Sequence, residues 1–314
     1  MRMRKATASA ASGAPGPGRW TAGYSVRRIM KQVHNVVAEG AALVIAHPGH
    51  ELAILGWLGL VRPTVFVLTD GSGRDGVSRI ASTTAILDAL GAEPGPMYGS
   101  VVEHEVYDAL LSGDTELFVG LAETLAEQLI AGDHRLVVGE AAEGFQPTHD
   151  VFRLVVDAAT ELARRGLGRP LPRYDFVLFA RQASYPSEAR DAAVWIELED
   201  GELDNKLRLA AEYRELAAEY HAAVSGDLSA VLGQFPELAA GAAATIGELG
   251  PEAYRIECLR PSPPGVRPEC LGAGPFYEIY GEALRAAGKI TEVIRLEQHL
   301  RPVAEALARR IGPS

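Results

Sequence analysis

The chain has 314 residues, of which 47% are hydrophobic and 23% are charged, so it is long and apolar enough to bury a full core. Its 30 basic and 41 acidic residues give a formal net charge of −11, which argues against a nucleic-acid backbone as a partner. No stretch approaches the roughly 20 consecutive apolar residues of a membrane-spanning helix, so we expect no membrane partner either.

The first 35 residues differ from the rest of the chain. They contain basic residues but no acidic ones, and they include the low-complexity stretch ATASAASGAPGPG. No apolar segment follows these charges, as a signal peptide would require. We therefore predict a disordered tail over residues 1–35 and a cytoplasmic protein, in which Cys258 and Cys270 are reduced thiols.

Short apolar runs then alternate with helical patterns. Strands are predicted at residues 41–46, 64–68, 135–138 and 175–180, which read AALVIA, TVFVL, RLVV and DFVLFA. Helices are predicted at residues 78–90, 115–131 and 149–165. This alternation predicts an α/β domain over residues 36–200, with a Rossmann-like parallel sheet and helices on both faces.

Residues 201–314 are predicted to form a mostly helical C-terminal extension packed on that domain. Helical periodicity runs over Leu203–Ala223 and Tyr277–Ile311, and Pro302 should kink or restart the second helix. The proline-rich segment Pro251–Pro268 is expected to be irregular. We expect this half to shape the mouth of a pocket or to form a homo-oligomer contact.

Polar clusters follow three of the four predicted strands, at the edge where parallel sheets carry their chemistry. They read HPGHE, TDGSG and GEAAEGFQPTHD. His47 and His50 share one short loop, and His149 stands at the start of the third helix, where Thr148 is the predicted N-cap. Catalytic zinc typically takes three protein ligands, often imidazoles. The pattern therefore predicts a divalent-metal site formed by His47, His50 and His149, with packing or surface roles as the alternative for each histidine.

These motifs resemble those of the PIG-L (LmbE-like) zinc-dependent N-deacetylases. Ala46–Glu51 (AHPGHE) corresponds to the family's Ala-His-Pro-Asp-Asp-Glu, and Gln146–His149 (QPTH) to its His-Pro-Asp-His. The resemblance covers residues 38–180. It implies an LmbE-like fold, Zn²⁺ or another divalent metal such as Fe²⁺, and hydrolysis of an N-acyl bond. The implied substrates are small amino-sugar-derived molecules of thiol, glycolipid or secondary-metabolite pathways. Arg79 falls where the family places a substrate-contacting arginine.

The family's site residues carry over unevenly. His47 and His149 match the first and last zinc ligands, and His50 stands where the family has a carboxylate ligand. The general base of the family motif is Gly49 here, and its oxyanion-assisting histidine is Gln146. Glutamine can donate a hydrogen bond to an oxyanion but cannot shuttle a proton. The resemblance therefore implies a divergent member with an altered catalytic motif.

Four carboxylates at strand ends could replace the missing base: Asp70, Glu51, Glu140 and Glu143. Asp70 could instead form an Asx-turn in TDGSG, and Glu51 could orient a ligand histidine. Glu143 is an exposed loop residue or a substrate contact, and Arg79 could equally face solvent.

The leading hypothesis is a divalent-metal-dependent hydrolase that acts on an amide-type (N-acyl) bond of a small polar substrate. Two alternatives stay open. One is a metal-dependent lyase or an oxygen-using enzyme with a three-histidine centre. The other is a non-catalytic relative that binds a sugar or a partner protein.

Overall fold

The structure is a computed structural model, and it describes residues 39–73, 76–178, 192–225, 250–267, 271 and 274–312. The predicted tail over residues 1–35 lies outside the described residues, as does Cys270. Within these ranges, no helix has both the length and the apolar character that crossing a membrane requires.

The described strands are β1 (Ala41–Ile45), β2 (Thr64–Thr69), β3 (Glu93–Val101), β4 (Leu136–Glu140), β5 (Arg173–Phe176), β6 (Val194–Glu197) and β7 (Ile256–Pro261). The α-helices are α1 (Leu55–Val61), α2 (Ile80–Leu90), α3 (Glu103–Ser112), α4 (Thr115–Ala131), α5 (Pro147–Leu167), α6 (Asp200–Glu212), α7 (Ala217–Ser225), α8 (Phe276–Ala286) and α9 (Arg301–Ile311). Short 3₁₀ turns lie at His50–Ile54, Arg214–Leu216 and Pro251–Tyr254, and a π-helical turn at Leu296–Leu300.

The strands form one seven-stranded sheet in the order β3-β2-β1-β4-β5-β7-β6. The first five are parallel, and β7 runs antiparallel to both β5 and β6. Strand β1 pairs with β2 on one side and with β4 on the other, so the strand order reverses direction at β1. Such a reversal opens a crevice beyond the carboxyl ends of the two central strands, here β1 and β4.

Each face of the sheet has its own apolar core. Ala42 and Val44 point to the core that contains α3, α4, α5 and α9, whereas Leu43 and Ile45 point to the core that contains α1, α2 and α6. Alternate residues of a strand face opposite sides of its sheet. Because helices cover both sides, all four residues are fully or almost fully buried. The predicted α/β fold with helices on both faces is confirmed.

Several element boundaries differ from the predictions. Helix α5 begins at Pro147 after an N-cap at Gln146, so the prediction of Thr148 as N-cap was wrong, since proline is well suited to a first helical turn. The segment predicted as irregular, Pro251–Pro268, contributes β7 to the sheet.

The long helix predicted over Tyr277–Ile311 is two helices, since α8 ends at Ala286, just before Gly288 in a left-handed conformation. Pro302 lies in the first turn of α9, and its predicted restart of the helix is confirmed.

A buried ion pair ties the C-terminal part of the chain to α1. The carboxylate of Glu257 in β7 accepts hydrogen bonds from the backbone N–H groups of Gly56 and Trp57, each at 2.8 Å. The Lys206 ammonium donates to the same carboxylate and to the Ala53 carbonyl, each at 2.8 Å. Both charged side chains are buried. Because α1 directly follows the loop of His47 and His50, this pair also anchors that loop.

Replacing Glu257 with glutamine would leave the Lys206 ammonium buried without its counter-charge. We expect the free energy of unfolding to fall by about 3 kcal/mol, the low end for breaking a buried ion pair, as measured by urea denaturation. Glu212→Gln is the matched control, since Glu212 pairs with Arg208 on an exposed helix face and should cost less than about 1 kcal/mol. Equal losses for the two variants would contradict the anchoring role.

Candidate metal centre

The three predicted histidines meet at the crevice between β1 and β4. His47 lies just beyond β1, His50 lies in the following 3₁₀ turn, and His149 lies in the first turn of α5. The ring centroids are 5.1 Å apart for His47 and His50, 5.1 Å for His47 and His149, and 4.5 Å for His50 and His149. Side chains about 100 residues apart in sequence therefore form one compact imidazole cluster.

The neighbours of His47 indicate which of its ring nitrogens carries the proton. The Thr69 hydroxyl donates to the carbonyl of Ala46 at 2.9 Å, so its oxygen acts as acceptor toward His47 Nδ1 at 2.8 Å. In a neutral ring with a protonated Nδ1, Nε2 is a lone-pair acceptor. This Nε2 lies 3.0 Å from the Thr148 hydroxyl, on the side of His47 that faces the N-terminus of α5.

Glu140, the last residue of β4, orients His50 in a similar way. Its Oε1 lies 2.7 Å from His50 Nδ1 and also accepts the backbone N–H of Ala46 at 2.8 Å. A carboxylate on Nδ1 leaves Nε2 as the nitrogen available to a metal, the arrangement found for most metal-bound histidines. Among the described residues, the ligand atoms that all lie within 4.8 Å of one another are those of His50, Glu140 and His149. His47, the third predicted ligand, is not in this set, and Glu140 takes its place.

Burial keeps two of the imidazoles neutral. The pKa of His47 lies well below its usual value, because burial disfavours the imidazolium and the electrostatic influence of the neighbouring His50 and Arg79 lowers it further. The pKa of His149 is also well below its usual value, through burial and then through His50 and His47. Neutral imidazole is the form that binds a metal, so the site's electrostatics favour coordination over ion pairing.

Glu51 and Asp70, two of the predicted catalytic residues, hold loops near the cluster. The buried Glu51 carboxylate accepts the backbone N–H of Gly49 and the hydroxyl of Thr83, each at 2.7 Å, and burial raises its pKa. Asp70 Oδ1 accepts the N–H and the hydroxyl of Ser72, at 3.0 and 2.7 Å, which is the Asx-turn that TDGSG predicts as an alternative to a catalytic role. Glu51 therefore joins the loop of His47 and His50 to α2, and Asp70 joins the loop after β2 to α3, because it also accepts the backbone N–H of Glu103 at 3.1 Å.

Glu103, the first residue of α3, is an acidic neighbour of the cluster that the sequence analysis missed. Its Oε2 accepts the backbone N–H of Gly73 at 2.8 Å and lies 3.7 Å from His47 Nδ1. Arg79 reaches the same loop, because its side chain would lie within 4 Å of a Cβ at either Gly71 or Gly73. No sequence signal marked Glu103, since β3, the strand that delivers it, was not predicted.

The remaining two predicted site residues lie at the start of α5 and in the loop before it. Gln146 is the half-exposed N-cap residue of α5, three residues before His149. Glu143 accepts the backbone N–H of Leu178 at 2.5 Å and donates its own N–H to Asp150 at 3.0 Å. Burial is the main reason that the pKa of Asp150 rises to about 7.

The space beside Gly49, where the resemblance places a catalytic carboxylate, is filled by the C-terminal part of the chain. Gly49 has φ of 103°, which disfavours residues with a side chain. A Cβ at this position would lie 2.3 Å from Leu216 Cδ1 and 3.4 Å from the Tyr213 ring. The Tyr213 hydroxyl is held by Thr83 at 3.0 Å. The glycine is therefore part of the packing, and a side chain cannot be added there without moving Leu216.

We expect Gly49→Ala to lower the free energy of unfolding by about 1–3 kcal/mol, from the left-handed backbone and the clash with Leu216. In a Leu216→Ala background the clash disappears, so the same substitution should cost less. A double-mutant cycle by urea denaturation should then give a coupling of at least about 0.5 kcal/mol. Simple additivity of the two substitutions would show that Leu216 does not fill this space.

No protein-family model matches the chain, and no curated protein matches it. Among solved structures, the chain is similar to the zinc-inhibited form of the teicoplanin deacetylase Orf2, with a TM-score of 0.42 and 15% identity. It is also similar to a deacetylase of the teicoplanin biosynthesis pathway in complex with bog, with a TM-score of 0.41 and 16% identity. Each alignment covers 70% of this chain and 97% of the other.

Proposed function

We propose that this protein is a divalent-metal-dependent hydrolase that cleaves an amide-type (N-acyl) bond of a small polar substrate. The observation that supports it best is the convergence of His47, His50 and His149, with ring centroids 4.5–5.1 Å apart. They converge beyond the carboxyl ends of β1 and β4, where sheets of this kind bind their ligands.

The residues present fit a zinc-like ion. In this proposal His47, His50 and His149 hold it, and Glu140 on Nδ1 leaves His50 Nε2 for the ion. Thr69 engages Nδ1 of His47, so the ion would take Nε2 of this ring and displace the Thr148 hydroxyl that lies 3.0 Å from it. Imidazole nitrogens are preferred ligands of zinc, and three such ligands leave a position open for a reactant. Bound there, the ion would supply Lewis acidity that polarises an amide carbonyl.

The surrounding side chains would position the substrate. Gln146 could donate a hydrogen bond to the oxygen on which negative charge develops. Arg79, at the start of α2, and Glu103, at the start of α3, lie beside the loop after β2, where a cation and a carboxylate could bind polar groups of the substrate. We propose Asp70, Glu51 and Glu143 as residues that hold the walls of this pocket through the hydrogen bonds described above. The motif resemblance makes an amino-sugar derivative the substrate class of first choice.

Metal content tests the proposal directly. The purified protein, loaded with zinc and then dialysed, should retain about one zinc per molecule by elemental analysis. The variants His50→Ala and His149→Ala should lose this zinc. His104→Ala is the matched control, because His104 is exposed on α3, and it should keep the metal. If the wild-type chain retains no metal, the proposal is wrong. Iron rather than zinc in the freshly purified protein would favour oxygen chemistry instead.

The variant Glu140→Gln tests whether the carboxylate of Glu140 orients His50 or binds the metal itself. If Glu140 orients His50, this variant should still bind zinc, with a dissociation constant raised about 10- to 100-fold, as for other residues that hold a ligand histidine. If Glu140 is itself the third ligand, the loss should match that of His50→Ala, and His47→Ala should retain zinc.

Turnover is the second test. A panel of N-acetylated amino sugars and simple N-acyl amines, assayed for free amine release, should yield at least one substrate of the zinc-loaded chain. His149→Ala should reduce that rate by at least about 100-fold, since the metal would be lost. The filled space beside Gly49 favours one alternative, a non-catalytic relative that binds the sugar. Binding of the panel compounds without any amine release would support that alternative and overturn the hydrolase proposal.

A further inference from the structure

Two buried polar atoms, one of them in the residue that follows His149, lack hydrogen-bond partners among the described residues. They are Oδ2 of Asp150, in the first turn of α5, and the hydroxyl of Tyr277, in the first turn of α8. Asp150 is fully buried and Tyr277 is 5% exposed. Buried polar atoms are rarely left without a partner, because the loss of hydration costs about 1–3 kcal/mol for each.

Asp150 and Tyr277 both bind the same short loop, the first through its side chain and the second through its backbone. Oδ1 of Asp150 accepts the backbone N–H groups of Glu143 and Gly144, at 3.0 and 3.2 Å. The backbone N–H of Tyr277 donates to the carbonyl of Gly144 at 3.4 Å. Burial raises the pKa of Tyr277, and the nearby Asp150 charge raises it further. The phenol and the carboxylate therefore belong to two helices that bind one loop, and no direct hydrogen bond joins them.

The two groups are complementary to one small molecule. A carboxylate oxygen accepts hydrogen bonds, whereas a phenol hydroxyl donates one as readily as it accepts. A single water can donate to the first and accept from the second, and buried waters typically satisfy such pairs. We propose that one ordered water binds between Asp150 Oδ2 and Tyr277 Oη, and that Tyr277 thereby becomes a positioning residue for His149.

The link to His149 follows from the chain. Asp150 is the next residue in α5, and it also holds the loop at Glu143 and Gly144 that precedes this helix. Stacking of Phe145 on Phe276, with ring centroids 4.6 Å apart, joins the same loop to α8. Through the water, α8 would hold the first turn of α5 in place from a second direction. The metal-binding part of this inference rests on the proposed function, whereas the water site itself does not.

A crystal structure of the full chain, at a resolution that shows ordered waters, tests the site. We expect one density peak within about 2.6–3.2 Å of both Asp150 Oδ2 and Tyr277 Oη, refining as water. A direct hydrogen bond between the two side chains, or an empty space between them, would overturn the proposal. So would a metal ion there, recognised by anomalous scattering or by four or more oxygen ligands.

Variants test the positioning role. Tyr277→Phe should remove the phenol donor with little change in shape, and we expect it to raise the zinc dissociation constant by about 10-fold. The matched control is Tyr280→Phe on the same helix, whose ring is parallel to that of Phe276, and it should change the constant less than about 2-fold. Circular dichroism checks that both variants fold. Equal zinc affinity in Tyr277→Phe and wild type would overturn the positioning role. If the wild-type chain binds no zinc, the proposed function fails, and the density at the water site still decides this inference.

Discussion

Oε1 of Glu140 accepts two hydrogen bonds, from the backbone N–H of Ala46 and from Nδ1 of His50. Because β1 and β4 are parallel neighbours, one carboxylate at the end of β4 can reach both the residue that follows β1 and the loop beyond it. The same oxygen therefore fixes where β1 stops and which nitrogen of His50 faces the other imidazoles. Charge-assisted bonds of this kind are stronger than neutral ones, and burial increases their strength further.

The opposite side of the same loop is held by the C-terminal part of the chain. Tyr213 and Leu216 pack against Gly49, and Glu257 with Lys206 fixes the start of α1 immediately afterwards. The helical C-terminal part thus completes the packing around the first histidine motif. This packing also explains why residue 49 is a glycine, since Leu216 occupies the volume that a side chain at Gly49 would need.

Much of the fold was predictable because its signals are local. The mostly apolar strands β1, β2 and β4 follow from their short apolar runs, and the helix Thr115–Ala131 follows from its periodicity. The position of His47 at a strand end follows from the same local pattern. The missed elements lack that signal: β3 contains Pro94, Gly95 and Pro96, and β7 lies in a proline-rich segment. Glu103 and Leu216 reach the site only through long-range packing, so periodicity and motifs could not identify them. Convergence of the three histidines could be predicted, whereas the hydrogen bonds that choose their tautomers required coordinates.

Burying the imidazoles of the cluster costs free energy of desolvation, and this cost argues against a role in packing alone. Burial lowers the pKa of both His47 and His149, which shows that the site disfavours their charged forms. Apolar side chains would fill the same volume without that desolvation cost, as they do along β1 itself. Glu140, Thr69 and Thr148 are then needed to satisfy the ring nitrogens, which adds further buried polar groups. These polar groups are buried at a cost, and they lie where the strand order reverses, which is where such sheets bind ligands. Two of the Nδ1 atoms are already engaged. Together these features favour a ligand-binding role over simple packing.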